Sequence, residues 1–548
     1  MRISGKFSRK PSREPASEPA SEPASVPASE LATRPFGRPL VKKATILFMA
    51  VAILFALFGL SCTSAMAKAP ASATPDASTA TATNAALDVS YVTLAPGSDA
   101  SQLTFTWQTA SHSDSPLVRI WSGNAAATDF TGTCSASVLA ISGLYSNDVT
   151  VTGLQANTTY SYQLGDGNGD FSSVGVTTTG DPSAYSYIVV GDPQIGSSGN
   201  IPSDTAGWAN TLNVISAKFP NAAFVMGTGD QIETTATLAQ YTGFFSPTQM
   251  QSLPFASCMG NHEGASAGPL AFYNPPNADS AGNYWYTYGN TLYMVWNFNV
   301  GTPDSMSAFL ASAIAANPTA TFRVLTFHVD VYGQGSTHAL SDGKAYRDLY
   351  VPVIDKYGID VVFNGHDHTY SRSYPMVYSG SAATSNSVGM QAQTFDAAGA
   401  SVDPTGTVYF ALDSATGSKF YALAAQQPYT AVMAQNDKPM FTVVSVTAST
   451  MTTSTYQIEA DNSITQIDSY TIKKTVSTSA TASVQKLTGN QNSLTVTVNV
   501  LRADGTTSTA SATVKIDKNS AGTYQVGIYK VYVDTKGNDQ VRTCEIVG

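Results

Sequence analysis

The sequence predicts a mixed α/β domain that follows an all-β sandwich and precedes a second, smaller β domain. In residues 87–180, short runs alternate apolar and polar residues and are separated by turn residues at regular intervals. In residues 181–474, apolar strand-like runs alternate with helical segments. In residues 475–548, the alternating pattern returns. A chain of 548 residues with 43% apolar residues is long enough for several such domains.

The start of the chain predicts no folded domain. Residues 1–44 form a low-complexity tail, in which residues 13–33 repeat a Glu-Pro-Ala-Ser pattern that cannot form a core. Residues 45–67 join an uninterrupted apolar run to the small residues "SAMA", as in an export signal. The run is short for a membrane span, so a retained anchor is the alternative interpretation. Residues 68–86 are small and polar and predict a linker.

Residues 87–180 predict the all-β sandwich. Runs such as "QLTFTWQT" and "TTYSYQLG" have the alternation of half-buried strands. The stretch "TGLQANTTYSYQLGDG" resembles the late strands of a fibronectin type III-like domain. That resemblance implies that Leu154 fills the core and that Tyr160 occupies the tyrosine corner.

Residues 181–474 predict the α/β domain. One apolar helix face is predicted from residues spaced three or four apart: Trp208, Leu212, Ile215 and Phe219. The stretch "NYWYTYGNTLYMVWNFN" predicts a hairpin that turns at Gly289-Asn290. The stretch "SDGKAYRDLYVPVIDKYGID" predicts a helix that ends at Gly358 and leads into the strand "DVVF".

Residues 475–548 predict a small β domain that carries no recognisable chemistry. Outside the export signal there are three cysteines, Cys134, Cys258 and Cys544. Their number is odd and their spacing is not that of a metal site, so isolated buried thiols are expected. The formal net charge of −10 excludes general nucleic-acid binding, which requires a basic face.

Five predicted strands of the α/β domain end in short loops that carry oxygen and nitrogen donors. The loops are "GDPQIG", "GTGDQIE", "GNHE", "HVDVYG" and "NGHDH". Together they offer six candidate ligands: Asp192, Asp230, Asn261, His328, His366 and His368. One aspartate at a turn is a weak signal, because aspartate is common there, but five such loops in one chain are not expected by chance. Carboxylate, amide and imidazole groups together favour a pair of transition-metal ions over calcium or a single structural zinc.

The order of these loops is similar to that of the calcineurin-like metallophosphoesterases. The stretch "GHDHTYSRSYPM" and the preceding sandwich resemble the purple acid phosphatase branch, and the resemblance covers about residues 87–470. It implies that residues 181–474 form the β-sandwich flanked by helices that is typical of this family.

The resemblance also implies a role for each matching residue. Asp230 would bridge two metal ions, and Asp192 and His368 would hold the first ion. Three further residues would hold the second ion: Asn261, His328 and His366. His262 would lie beside the substrate. His338 would be a second histidine on the substrate side or, alternatively, a residue of a surface loop.

Two positions depart from the family pattern. Purple acid phosphatases have a tyrosine three residues after the second aspartate, where this chain has Glu233, so no purple iron–phenolate colour is expected. The wider family often has histidine two residues after the first aspartate, where this chain has Gln194. The first ion would therefore gain an oxygen from Gln194, from Glu233 or from water. Iron, manganese and zinc all remain open.

Three residues near these loops are expected to support them rather than to contact substrate. Glu263 would be a structural carboxylate, although it has the alternative of orienting His262. Tyr370 and Arg372, which follow the last two histidines, would pack and brace their loop.

The resemblance implies an exported phosphoesterase of phosphate monoesters that acts through metal-bound hydroxide. His262 would stabilise the transition state or protonate the leaving alkoxide. The expected partner is a small phosphate ester, and the membrane is involved only through the signal segment or a retained anchor. A nucleotidase or phosphodiesterase is the first alternative. A non-catalytic cell-envelope binding protein with a relict metal centre is the second.

Overall fold

A computed structural model describes eight stretches of the chain: 86–136, 143–264, 272–378, 389–486, 491–502, 507–527, 529–537 and 540–547. The predicted low-complexity tail (1–44), the predicted signal (45–67) and all but the last residue of the predicted linker (68–86) lie outside these residues. Among the described helices, none combines the length and apolar character needed to cross a membrane.

The first described domain is an all-β sandwich of two four-stranded antiparallel sheets, as the sequence predicts. Its strands are β1 Ser90–Pro96, β2 Leu103–Thr109, β3 Leu117–Trp121, β4 Thr128–Thr131, β5 Thr133–Ala136, β6 Tyr145–Val151, β7 Thr159–Gly165 and β8 Gly175–Thr178. The sheet orders are β1-β2-β6-β5 and β4-β3-β7-β8. Leu154 is buried in the shared core. The Tyr160 hydroxyl accepts a hydrogen bond from the Gln155 N–H at 2.8 Å, in the manner of a tyrosine corner.

The α/β domain contains two seven-stranded sheets. Its strands are β9 Tyr185–Val190, β10 Ala222–Gly227, β11 Phe255–Ala256, β12 Tyr284–Tyr288, β13 Thr291–Val295, β14 Phe322–Thr326, β15 Val361–Asn364, β16 Tyr370–Ser373, β17 Ser401–Val402, β18 Val408–Ala411, β19 Thr430–Ala434, β20 Met440–Val446, β21 Thr450–Ile458 and β22 Ile464–Lys473. The first sheet has the order β11-β10-β9-β20-β21-β22-β17, and the second has the order β12-β13-β14-β15-β18-β16-β19. The antiparallel pair β12–β13 turns at Gly289-Asn290, which confirms the predicted hairpin.

Four described α-helices belong to this domain: α1 Ile201–Lys218, α2 Leu238–Phe245, α3 Pro303–Ala316 and α4 Asp342–Lys356. The central core lies between the inner faces of the two sheets, where Tyr187 and Phe224 of one sheet join Val324 and Phe363 of the other. Helices α1 and α2 pack on the outer face of the first sheet. Helices α3 and α4 pack on the outer face of the second. The domain is therefore the predicted β-sandwich flanked by helices.

The predicted helices agree closely with α1 and α4. Trp208, Leu212 and Ile215 are fully buried on one face of α1, whereas Phe219 lies at its C-cap and is only partly buried. Helix α4 ends at Lys356, and Gly358 has a positive φ of 58°, which suits glycine beyond a helix end.

The C-terminal β domain consists of two three-stranded sheets. They comprise β23 Val476–Lys486, β24 Gln491–Arg502, β25 Thr507–Asp517, β26 Ala521–Val526, β27 Tyr529–Lys536 and β28 Gln540–Ile546. Valines of β24 and β27 share its core. Arg502 Nη2 donates to the carbonyls of Pro318 and Ala320 at 3.2 and 3.0 Å, and the Tyr529 hydroxyl donates to the Thr319 carbonyl at 3.2 Å. These bonds join the domain to the loop between α3 and β14.

The three described cysteines carry free thiols. Cys258 is buried as expected, but Cys134 and Cys544 are only partly buried, because they lie on short or outer strands of the two β domains. The expectation of buried thiols is therefore wrong for two of the three.

Candidate metal centre

The candidate ligands lie where strands of both sheets end at one edge of the sandwich. Asp192 follows β9 and Asp230 follows β10, and these strands run parallel in the first sheet. His328 follows β14 and His366 follows β15, which run parallel in the second sheet. Because parallel strands present their C-terminal ends at the same edge, residues far apart in sequence meet there.

The backbone is strained at the predicted ligands. Five non-glycine residues of the site have a positive φ: Asp192 at 39°, Gln194 at 38°, Asp230 at 49°, His366 at 70° and His368 at 45°. This left-handed region is costly for residues with a Cβ atom, and such residues concentrate at functional sites.

Two glycines allow the loops to approach one another. A Cβ atom at Gly260 would lie 2.0 Å from Asp230 Oδ1, and one at Gly365 would lie 2.4 Å from Asp192 Oδ2. Both distances are far below van der Waals contact, so a larger residue at either position would displace a carboxylate. The glycines that flank the ligands in the sequence are thus needed for close approach.

His328 is the centre of the cluster. Its Nε2 atom lies 3.1 Å from Asp230 Oδ2, 3.0 Å from Asn261 Oδ1 and 3.9 Å from Asp192 Oδ1. Its Nδ1 atom lies 3.0 Å from the Thr228 carbonyl, which can only accept. Nδ1 therefore carries a proton, and Nε2 donates to Asp230 in the charged ring, whereas in the neutral ring it would offer a lone pair to an ion.

The last two histidines complete the cluster. His368 Nε2 lies 3.5 Å from Asp192 Oδ1, and its Nδ1 lies 2.9 Å from the Lys419 carbonyl. The Nε2 lone pair of His368 thus faces the carboxylate. Asp230, His328 and His366 each offer one ligand atom, and these atoms lie within 4.8 Å of one another. The structure therefore brings together all six candidate ligands.

Gln194 and Glu233, the two departures from the family pattern, occupy different surroundings. Gln194 is fully buried, and among the described residues neither its Oε1 nor its Nε2 has a hydrogen-bond partner. Such a group is costly unless water or an ion satisfies it. Glu233 Oε2 lies 3.6 Å from His262 Nδ1, so its carboxylate faces that histidine.

The two histidines predicted for the substrate side are both partly exposed. The His262 N–H donates to Asp230 Oδ1 at 2.9 Å, and its ring Nδ1 lies 2.8 Å from the Glu233 carbonyl. The His338 ring centroid lies 3.9 Å from that of His366. The structure places His338 beside the cluster, not on a remote surface loop.

The three supporting residues brace the loops. Backbone N–H groups of Asp230, Gln231 and Gly260 donate to the buried Glu263 carboxylate at 2.9, 2.7 and 2.6 Å. Among the described contacts, Glu263 thus supports the loop backbone and not the His262 ring. Tyr370 and Arg372 are buried and both donate to Asp468 of β22 at 2.7 Å.

Sequence reasoning missed Asp342, Lys419 and Tyr421. Asp342 contacts both His338 and His366. The Tyr421 ring lies 5.1 Å from that of His368 and 5.4 Å from that of His338, and Lys419 Nζ lies 5.2 Å from the Tyr421 ring. Asp342 could have been noticed four residues after His338, but no strand-end motif marks the other two.

Burial and mutual charge shift the pKa values of the cluster. Burial would lower the pKa of His328, but the charges of Asp230 and Asp192 raise it to about 10. Burial opposes ionisation of Asp230, yet the charge and hydrogen bond of His328 hold its pKa below the usual range. Burial raises the pKa of Asp192 to about 8, and it lowers those of His366 and His368 to about 4 and about 3. His366 and His368 are thus neutral at pH 7, as metal ligands must be.

The donor set fits a pair of transition-metal ions. Mixed carboxylate, amide and imidazole donors converge on one buried edge, and the unpartnered amide of Gln194 is buried next to them in sequence. A calcium site would require more oxygen donors and fewer imidazoles.

Comparison with known families and structures agrees with this geometry. Residues 185–370 match the calcineurin-like phosphoesterase family, and residues 89–179 match the purple acid phosphatase N-terminal domain. A search of curated proteins gave no match.

Similar solved structures include purple acid phosphatase PPD1 from seeds of yellow lupin (Lupinus luteus). It shares 16% identity and a TM-score of 0.54, over 70% of this chain and 74% of the lupin chain. At that identity the likeness shows the fold alone. Vps29 of Chaetomium thermophilum and Vacuolar Protein Sorting 29 of Cryptosporidium parvum each share 12% identity over 53% of this chain and 99% of theirs. Their TM-score of 0.25 carries no argument.

Proposed function

The chain resembles the calcineurin-like metallophosphoesterases of the purple acid phosphatase branch, and from this premise we propose that it is an exported, dinuclear-metal hydrolase of phosphate monoesters. The observation that carries the proposal is the convergence of two carboxylates, one amide and three imidazoles from both sheets on one edge. A relict centre in a binding protein would be expected to have lost some of these donors, which argues against the non-catalytic alternative.

Each ion would be held by residues from both sheets. Asp192 and His368 would hold the first ion, and Asp230 would contact both. Three residues would hold the second: Asn261, His328 and His366. When bound, the two ions would neutralise the charge of a phosphate ester and lower the pKa of a water molecule.

The protein itself would position the ester and move one proton. The His262 Nδ1 lies at the Glu233 carbonyl, which can only accept, so Nδ1 carries a proton and the ring would donate a second proton from Nε2 to the leaving oxygen in its doubly protonated form. The His262 backbone N–H holds Asp230 Oδ1, so the same residue connects the bridging carboxylate to the substrate side. His338, whose ring centroid lies 3.9 Å from that of His366, is proposed as the second substrate-side histidine.

Residues on the substrate side favour a small ester with an aromatic leaving group. The partly exposed ring of Tyr421 lies beside His338 and His368 and offers an apolar face. Lys419 adds a positive charge near that ring. Aromatic rings and cations also suit a nucleotide, so a nucleotidase is the alternative substrate class for the same site.

Export is proposed from the apolar segment and the small residues that follow it within 45–67. The proposed location is extracellular, periplasmic or in the cell envelope.

Hydrolysis of a chromogenic phosphate monoester, with and without chelator, tests the proposal. We expect activity that is lost on metal removal, is restored by manganese, zinc or iron, and exceeds that on the matching diester. Asp230→Ala should abolish it, whereas Asp114→Asn, a fully exposed change in the N-terminal sandwich, should not. Turnover that survives Asp230→Ala would rule out the metal mechanism.

A further inference from the structure

Asp342 contacts two histidines of the site at once. Its Oδ2 atom lies 3.0 Å from His366 Nε2, and both of its oxygens lie 3.1 Å from His338 Nδ1. His366 ends a strand of the second sheet, His338 lies in the loop before α4, and Asp342 is the first residue of α4. One carboxylate thus connects three separate elements of the fold.

We propose that Asp342 is a positioning residue that fixes the ring orientation and tautomer of both His366 and His338. This inference rests on the proposed function. A carboxylate can only accept, so His366 Nε2 and His338 Nδ1 must carry the protons of these two bonds. His366 is left with Nδ1 as its ligand atom, and His338 is left with Nε2 for the substrate.

The first consequence concerns metal affinity. A metal-bound histidine commonly donates its other ring N–H to a carboxylate, which fixes the ring and makes it a better ligand. Asp230, His328 and His366 can present ligand atoms within 4.8 Å of one another, and Asp342 is the acceptor for the Nε2 atom of the His366 ring. Loss of that acceptor would lower the affinity for the second ion about 10- to 100-fold.

The second consequence concerns the substrate. The His338 and His366 rings lie 3.9 Å apart at an angle of 42°, an arrangement that depends on the shared carboxylate between them. Without Asp342, His338 could rotate away from the site. Turnover of esters with poor leaving groups would then suffer more than turnover of esters with good ones, because only the former need the ester to be held where His262 can protonate the leaving oxygen.

An ordinary structural explanation exists for Asp342. Carboxylates in the first turn of a helix interact favourably with its dipole, whatever else they contact. Helix α3 supplies a matched control, because Asp304 occupies its first turn and is exposed. A dipole role predicts that Asp342→Asn and Asp304→Asn behave alike, whereas the positioning role predicts that only the former affects the site.

The test compares full-length Asp342→Asn, Asp342→Glu and Asp304→Asn with the parent protein. Affinity for each of two equivalents of Zn²⁺ or Mn²⁺ is measured by competition with a chelator, together with the kcat of esters with good and poor leaving groups. We expect Asp342→Asn to lower the affinity for one of the two metal ions about 10- to 100-fold. It should lower kcat mainly for esters with poor leaving groups. Asp342→Glu should recover part of both effects, and Asp304→Asn should change neither.

The outcomes separate this inference from the proposed function. If the parent binds two ions but hydrolyses no ester, the proposed function fails while the affinity comparison still decides the role of Asp342. Unchanged affinity and kcat in Asp342→Asn overturn the inference, as does an equal loss in Asp304→Asn. If Asp342→Asn fails to fold, Asp342→Ser, which also lacks the carboxylate, replaces it. Unchanged affinity and kcat in that variant overturn the inference.

Discussion

Asp230 Oδ2 lies 3.1 Å from His328 Nε2, although the two residues end strands of different sheets. Both side chains are essentially inaccessible to solvent. The contact therefore joins the two sheets at the edge where the candidate ligands meet. It also supplies opposite charges to a buried site, since His328 has a raised pKa and Asp230 a lowered one.

This ion pair should stabilise the metal-free protein only while both partners are present. Asp230→Asn or His328→Gln leaves one buried charge without its partner, and each change should cost about 3–5 kcal/mol of unfolding free energy. The double variant should lose much less unfolding free energy than the two single variants lose together. Denaturant unfolding of all four proteins, in the presence of a chelator, measures these losses. Additive losses would show that the two side chains do not interact.

Gly365→Ala should disrupt metal binding without unfolding the domain. The added methyl group would lie 2.4 Å from Asp192 Oδ2 and 2.7 Å from Thr228 Oγ1, so the carboxylate must move. Overpacking of this kind costs about 1–3 kcal/mol. Metal content after dialysis and the thermal midpoint are the measurements. A variant that keeps two ions per chain would show that the Asp192 carboxylate does not need the space left by Gly365 in order to bind metal.

Glu233→Tyr should give the iron-loaded protein a visible colour. The parent has a carboxylate where the resembling phosphatases have tyrosine, and a carboxylate gives no phenolate-to-iron charge-transfer band. Visible absorption of parent and variant after identical iron loading is the measurement, with Glu233→Gln as the colourless control. A coloured parent would show that some other phenolate reaches the iron.

The buried pair of Arg372 and Asp468 should stabilise the domain by joining its two sheets. Arg372 Nε donates to Asp468 Oδ2 at 2.7 Å, and the guanidinium carbon lies 4.6 Å from the Tyr470 ring. Asp468→Asn should cost about 3–5 kcal/mol, because it leaves a buried guanidinium unpaired. Replacing both residues with apolar ones should recover most of the loss. Urea unfolding tests this, and a neutral Asp468→Asn would disprove the coupling.

Asp148 in the N-terminal sandwich should make stability fall as pH rises. Burial raises its pKa to about 6, against a hydrogen bond from Thr106 that lowers it. The folded state then holds a proton that the unfolded state releases, so the stabilisation is present below about pH 4 and is lost as pH rises through about 6. Asp148→Asn should therefore raise the thermal midpoint more at pH 7.5 than at pH 4.

A second carboxylate of the same sandwich, that of Asp129, should contribute stability with the opposite pH dependence. Asp129 pairs with Arg119 at 2.8 Å, which lowers the pKa of Asp129. Its contribution is present above the unfolded pKa and is lost as pH falls through the lower folded value. For Asp148→Asn, equal changes of the thermal midpoint at pH 7.5 and at pH 4 would refute the raised pKa of Asp148.

The candidate ligands could be predicted from the sequence because each lies directly after an apolar strand. Local patterns sufficed for the strand before Asp192 and for the one before His366, and parallel pairing then brought the loops to one edge. Asp342 could not be found this way. Its contact with His366 depends on where α4 packs against the second sheet, and no short pattern encodes that placement. The ligand roles themselves stay predictions until metal is measured.

The helices also differ in how well the sequence predicts them. Helix α1 is long enough for its apolar face to be periodic, whereas α2 has eight residues and too few turns to show a period. Helix α3 has a start signal in its sequence. Thr302 and Ser305 form a capping box around Pro303 at the first helical position.

Arg502 and Tyr529 attach the C-terminal domain to the peptide carbonyls of residues 318–320. Every amino acid supplies a carbonyl, so these three bonds do not depend on which side chains occupy positions 318–320. Natural variation there should be tolerated as long as the loop keeps its length and path, whereas an insertion of one residue would shift all three acceptors out of reach.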